Sequence, residues 1–175
     1  NTLADSSVKC KVFADDTKVY KSFMPRGSNK DLQSCLDRMY KWSVDWGLPL
    51  SVEKSQVMHL GYNNPKQNYL LNGAVLKQVT EKVSDLGFLL NSSLSFKDHV
   101  RHIVQLAKFR TYNLFKVLKT NKESIWIKAY KTYIRPMVEF GTTVFNSDRG
   151  FVKKIESVQN NFTRKLFFRL GGYKY

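Results

Sequence analysis

At residue 96 the spacing of apolar side chains in this 175-residue chain changes, and with it the architecture the chain can adopt. Before that point apolar residues alternate with polar ones or come in short runs, as β-strands do. Beyond it they recur every three or four positions, the period of a helix. Charge divides at the same place. Residues 1–96 carry 12 Lys and Arg against 9 Asp and Glu, a net of +3, and residues 97–175 carry 17 against 5, a net of +12. The whole-chain excess of +15 points to a polyanionic partner, nucleic acid first. The pattern reads as an α+β part over 1–95 followed by a basic helical bundle over 96–175.

The first part opens on a hairpin. Val8, Cys10 and Val12 alternate with Lys9 and Lys11, and Thr17, Val19, Lys21 and Phe23 interleave with Lys18, Tyr20 and Ser22. The polar break between them holds Asp15 and Asp16, at or near the turn. Residues 25–29 are a loop by composition, with Ser28 or Asn29 as N-cap of a helix over 29–46 and Asp31 in its first turn. Leu32, Cys35, Leu36, Met39, Tyr40, Ser43 and Trp46 keep the helical period, and Gly47 and Pro49 end it. Trp42 and Trp46, four apart, read as a cover for a core. A turn over 50–55 leads to a strand over 56–60. A polar loop then precedes a hairpin over 68–76, where Asn72-Gly73 predicts a type I′ turn. Val83–Leu90 reads as one further strand.

In the second part Phe96, Val100, Ile103, Ala107, Leu114 and Leu118 mark one face of a helix of about six turns. The opposite side carries Lys97, Arg101, Gln105, Lys108, Tyr112, Lys116 and Lys119, and Asp98 is the segment's acid. Two readings stand for this stripe: a solvated basic face, or a track for a phosphate backbone on which Tyr112 packs a sugar or base. A helix over 123–133 is bent or interrupted by Pro136. A polar connection over 141–150 leads to a helix from Val152 to Leu170, ended by Gly171-Gly172 and flanked by Lys153, Lys154, Arg164, Lys165 and Arg169.

Other chemistry finds little support. Cys10 and Cys35 make no disulfide framework and read as two reduced, partly buried thiols of an intracellular protein. No apolar run is long enough to span a membrane, and no signal-peptide pattern opens the chain. The chain begins with Asn1 rather than Met, which reads as a piece of something longer. His99 and His102 share a helix face without further zinc ligands nearby, and there is no phosphate loop or nucleophile elbow. Asp15-Asp16 itself has two readings. It is an ordinary turn pair, or two hard oxygen ligands that converge where a turn relaxes strand alternation, suited to Mg²⁺ and phosphoryl transfer. Lys54 is likewise either a surface lysine or a charge placed to neutralise a leaving phosphate.

The order of these features resembles the reverse transcriptases of non-LTR, jockey-like retrotransposons. Phe13-Ala14-Asp15-Asp16 resembles their F/Y-x-D-D hairpin, and Asn1-Thr2-Leu3-Ala4 the N-D-L-P run before it. Leu32 to Met58, with Gly47-Leu48-Pro49-Leu50-Ser51-Val52-Glu53-Lys54-Ser55, resembles the family's W-x-L-x-L-N-x-x-K-T-x-x-M segment. Asp85-Leu86-Gly87 resembles the start of its primer-grip strand, and Phe96, His99 and Val100 its next helix start. Tyr133 to Gly141 resembles an I-R-P-x-L-E-Y signature, and Glu156-Ser157-Val158-Gln159 an L-E-x-V-Q one.

The resemblance implies an RNA-directed DNA polymerase whose palm ends in 1–95 and whose thumb is 96–175. It implies that Asp15 and Asp16 bind Mg²⁺ in a two-metal nucleotidyl-transfer site, and that Lys54 assists pyrophosphate departure. Leu86, Gly87 and Phe88 would position the primer end. Lys97, Arg101, Lys108, Tyr112, Lys116 and Lys119 would hold a template–primer duplex. The implied partners are an RNA template, a DNA primer and, in the complete enzyme, dNTP, with no membrane. The implied setting is intracellular, the nucleus being a compartment the family uses. Ser51, Ser55 and Phe145 depart mildly from the family's Asn, Thr and Trp. The family's other catalytic Asp lies in an upstream palm strand, so the resemblance implies an incomplete palm and an isolated chain without polymerase activity. A non-catalytic nucleic-acid-binding module and a degenerate transposon relic are the alternatives.

Overall fold

The computed structural model describes residues 7–23, 30–145 and 149–172. The predicted N-caps Ser28 and Asn29, the loop at 25–29 and the run at 1–4 lie outside them. The architecture is α+β. It divides into two compact units, the described residues of Asn1–Val83 with Asn91–Leu94, and those of Ser84–Leu90 with Ser95–Tyr175.

The first unit is built round one helix. Strand β1 (Val8–Phe13) pairs antiparallel with β2 (Asp16–Lys21), from Val8 opposite Lys21 to Phe13 opposite Asp16. Strand alternation turns Val8, Cys10 and Val19 onto Cys35 and Met39 of α1 (Lys30–Asp45). Lys21 and Asp31 form an ion pair, and Ser7 Oγ donates to the same carboxylate at 3.1 Å. Both partners hold the Asp31 carboxyl below its ordinary range, the Lys21 hydrogen bond most. This ties the base of the hairpin to the first turn of α1. The helix closes as the sequence predicts: Leu48 N–H reaches Ser43 O at 2.8 Å and Gly47 N–H reaches Val44 O at 3.1 Å, a Schellman pair.

The far side of α1 carries β4 (Leu70–Leu71) and β5 (Ala74–Val75), joined through Asn72 and Gly73 at φ +53° and +73°. Both central residues thus take the left-handed conformation that a type I′ turn needs. Gln33 of α1 pins this ribbon, donating to Leu70 O and accepting from Leu70 N–H, each at 2.9 Å. Tyr69, Leu71 and Leu76 pack on Leu32, Leu36 and Tyr40.

Two expectations change here. The strand predicted over 56–60 is β3 (Gln56–Met58), and it pairs in parallel with β6 (Lys77–Val79), which local pattern did not show. The single strand expected over Val83–Leu90 is two, β7 (Lys82–Asp85) and β8 (Phe88–Asn91), which form a two-stranded ribbon. Leu86 and Gly87 stand between them at φ +46° and +86°. The apolar Leu86 hid the turn, since it occupies a position that costs a non-glycine residue about 1–2 kcal/mol.

The second unit is helical. The buried face of α2 (Lys97–Val117) is His99, Val100, Ile103, Val104, Ala107 and Thr111. It shares a core with Ile134, Val138, Phe145, and Phe151 and Val158 of α6 (Arg149–Arg169). A second cluster centres on Trp126 in α3 (Glu123–Ala129). Its ring stacks on Phe115 at 4.4 Å and its Nε1 donates to Thr120 O at 3.0 Å.

Pro136 does not interrupt the helical path. Tyr130–Ile134 form a π turn, closed by Arg135 N–H on Tyr130 O, and α4 (Arg135–Glu139) continues with Pro136 in its opening turn. A proline ring collides with the carbonyl four residues back. That carbonyl belongs to Thr132, inside the widened turn. The connection expected at 141–150 contains a short helix, α5 (Thr142–Phe145), which buries Phe145. Residues 146–148 of that stretch lie outside the described ones. Among the described residues no helix is long and apolar enough to cross a membrane.

Candidate functional site

The two-residue turn between β1 and β2 is Ala14-Asp15, and Asp16 opens the second strand. The base of the ribbon packs on α1, while its tip projects: Val12 and Phe13 are 67% and 64% exposed and both carboxylates are exposed. Ala14 sits at φ +52°, a conformation of about 1–2 kcal/mol cost for a residue with a Cβ. Neither side-chain carboxylate has a hydrogen bond or ion pair among the described residues. The tip therefore offers two unneutralised hard oxygen donors. Among the described residues no three His, Cys, Asp or Glu side chains group to hold a metal.

Lys54 lies exposed in the turn after α1. Its backbone N–H is held by Ser51 Oγ at 3.3 Å, and Ser55 Oγ donates to Ser51 O at 2.7 Å. Ser51 thus organises the turn that presents Lys54. No ion pair joins Lys54 to Asp15 or Asp16, so these three predicted residues are not linked directly.

Leu86, Gly87 and Phe88 occupy the β7–β8 turn and the first position of β8. Phe88 is anchored in an aromatic cluster: its ring lies 5.6 Å from Phe140, 5.1 Å from His99 and 6.4 Å from Phe96. Gly141 is required beside it, since it stands at φ +66° and a Cβ there would run into the Phe88 ring. His99 is buried at 2% exposure, and its Nδ1 accepts from Leu89 N–H at 3.3 Å. Its Nε2 is buried without a hydrogen-bond partner among the described residues. Burial, and then the His102 charge, lower its pKa from the ordinary 6.5. His99, with little support as a zinc ligand, is a packing residue that ties α2 to β8.

The basic stripe is exposed along its length. Lys97, Arg101, Lys108, Tyr112 and Lys116 stand on the outer face of α2, and Lys119 follows just beyond it. Tyr112 is 56% exposed. Arg101 shares its charge with Asp98, one turn back, at 3.3 Å. Two of the bases flanking α6 are structural: Arg169 donates to Leu118 O at 3.3 Å, capping α2, and Lys165 lies over the Phe115 ring at 6.0 Å. Sequence pattern missed a shallow groove of about 260 Å³ lined by Arg110, Asn113, Leu114, Val117 and Tyr133. Its signal was Arg110, one more base beside the stripe; Tyr133 arrives through the π turn, which no periodicity showed.

No family model matches the chain, and no solved structure matches it. Over 168 residues it is 24% identical to the RNA-directed DNA polymerase from mobile element jockey of Drosophila melanogaster, covering 93% of this chain and 18% of that protein. Over 92 residues it is 23% identical to an uncharacterised protein of Caenorhabditis elegans, covering 52% of this chain and 46% of the other. The chain thus spans under half of either relative. The distant likeness to the jockey polymerase, spread along nearly the whole chain, suggests a reverse-transcriptase-like region.

Proposed function

We propose that the chain is part of an RNA-directed DNA polymerase of a non-LTR retrotransposon, the end of the palm followed by the thumb. The observation that carries this reading is the exposed Asp15-Asp16 turn in a chain that is similar to a jockey polymerase over 93% of its length. Mg²⁺ is commonly held by one or two carboxylates together with substrate phosphates, which suits two bare aspartates on a tight turn. Asp15 and Asp16 would hold it, and the metal would supply charge stabilisation for nucleotidyl transfer. Lys54 adds a cation on the same unit. Leu86, Gly87 and Phe88 position the primer end, and the α2 stripe with Lys119 grips the RNA–DNA duplex.

Metal affinity tests the site without needing turnover. Mn²⁺ substituted for Mg²⁺ should broaden the amide resonances of Phe13–Thr17 selectively. Asp15→Asn with Asp16→Asn should remove that broadening. Uniform broadening, or no change in the double variant, refutes the metal assignment. The exposed basic face of α2 also supports a second reading, a nucleic-acid-binding module without chemistry; it predicts duplex binding with no selective broadening at the tip.

A further inference from the structure

The first unit holds another polar feature, remote in sequence from the Asp turn. A cleft of about 370 Å³ is lined by His59, Tyr62, Lys66, Gln78, Thr80 and Ser92 among others. That volume lies in the range of about 300–1,000 Å³ found for small-ligand sites. The parallel pair builds it. Met58 of β3 stands opposite Val79 of β6, so the next residues, His59 and Thr80, leave the ladder at the same end. Ser92 is brought in by Gly61 N–H on Ser92 O at 3.1 Å.

The loop carrying Lys66 is set by Asn64, whose Nδ2 donates to Leu60 O at 3.2 Å while its Oδ1 accepts from Lys66 N–H at 3.0 Å. Lys66 is held at φ +49°. A non-glycine residue stays in that region only where its surroundings over-determine it, and such positions gather at ligand sites.

The lining is donor-rich and, among the described residues, includes no Asp or Glu. Lys66 brings an ammonium, and Thr80 and Ser92 bring hydroxyls. The Nε2 of half-buried His59 is buried with no hydrogen-bond partner among the described residues, as is the hydroxyl of Tyr69, whose ring lies 6.3 Å from the imidazole. Buried polar atoms in native proteins are generally satisfied. Gln78 Nε2 is engaged by Asn68 Oδ1 at 2.6 Å, which leaves its carbonyl oxygen as an acceptor. Tyr62 is 98% exposed, an aromatic face with little to pack on.

We propose that this cleft binds a phosphate monoester, carried by a nucleoside monophosphate or by the end of a nucleic-acid strand. Lys66 neutralises the charge, and Thr80 and Ser92 donate to the oxygens. Tyr62 stacks on the attached base. This inference does not depend on nucleotidyl transfer or on the α2 stripe, and its readout is separate from duplex binding.

The full 175-residue chain should bind AMP in isothermal titration at least about tenfold more tightly than adenosine, the effect of one good charged contact. Inorganic phosphate should compete. Lys66→Ala and Thr80→Val should each weaken AMP by a similar factor, and Lys41→Ala should not. Lys66→Gly relieves the backbone strain while removing the ammonium, so it tests binding in a chain that folds at least as well; it too must lose affinity. Equal affinity for AMP and adenosine, or full AMP affinity in Lys66→Gly, overturns the proposal. A 5′-phosphorylated oligonucleotide that displaces AMP where its 5′-hydroxyl counterpart does not identifies a strand end as the source. Displacement by neither identifies the free nucleotide.

Discussion

The two units bury their apolar residues in different ways, and the difference decides what each can present to a partner. In the second unit, long helices share continuous cores, one round Val100, Ile134 and Val158 and one round Trp126 and Phe162. A 21-residue helix such as α2 can give one face wholly to that core and leave the other for a row of charges. In the first unit, α1 is flanked by ribbons of two to six residues a strand, over two small clusters. Short ribbons have few inward positions, so their tips and ends stand clear. The chemistry there is local: a carboxylate turn at one place, a donor-rich cleft at another. The helical unit is a surface, and the ribbon unit is a set of points.

The largest expected contrast is in nucleic-acid binding. Lys97, Arg101, Lys108 and Lys116 changed together to Ala should flatten the log affinity–log salt plot for a template–primer duplex by about 0.7–0.9 for each phosphate no longer neutralised. The same number of exposed lysines removed from the first unit, at Lys9, Lys11, Lys41 and Lys77, should leave the slope nearly unchanged. Equal slopes for the two quadruple variants in fluorescence anisotropy would mean that the charge division between the units has no bearing on binding.

Core truncation sharpens the contrast in stability. Trp126 is fully buried, stacked and hydrogen-bonded, so Trp126→Ala should cost about 3–5 kcal/mol in urea unfolding. Leu71→Ala, in the small cluster beside α1, should fall near the lower end of the about 2–5 kcal/mol range. A reversed order would show that the ribbon unit is the better packed.

A smaller effect follows from His99. Its folded pKa lies below the unfolded 6.5, with burial the main cause. Below that pH the unfolded chain takes up a proton that the folded chain resists, so stability is complete above about 6.5 and falls as pH drops through the folded value. The urea midpoint of the parent chain should decline from about pH 7.5 to about pH 5 more steeply than that of His99→Phe. Parallel profiles would rule out His99 as the source. The smallest change is a gain: Ala14→Gly releases the left-handed alanine of the Asp turn and should stabilise by about 1 kcal/mol.

What the sequence revealed follows how local each feature is. The Asn72-Gly73 turn and the end of α1 at Gly47 were legible because each depends on one or two residues of distinctive backbone preference. The Leu86-Gly87 turn was not, because an apolar residue occupied its first position. The β3–β6 pairing was invisible, since it joins segments about twenty residues apart and leaves no local period. At the candidate site, the exposed Asp turn and the stripe were readable from alternation and helical spacing. The buried His99 and the His59–Thr80 cleft were not, because each depends on which chain segments meet.

That parallel pairing also orders events in time. The Asn72-Gly73 hairpin lies wholly between β3 and β6, and a hairpin closes in about 1–10 μs on its own. Parallel strands must wait for the loop between them to be gathered in, which makes such pairings slow. His59 and Thr80 become neighbours only at that stage. The chain will therefore be compact before it is competent to bind at this cleft, and ligand capture during refolding will lag behind the burial of Tyr69 and Leu71.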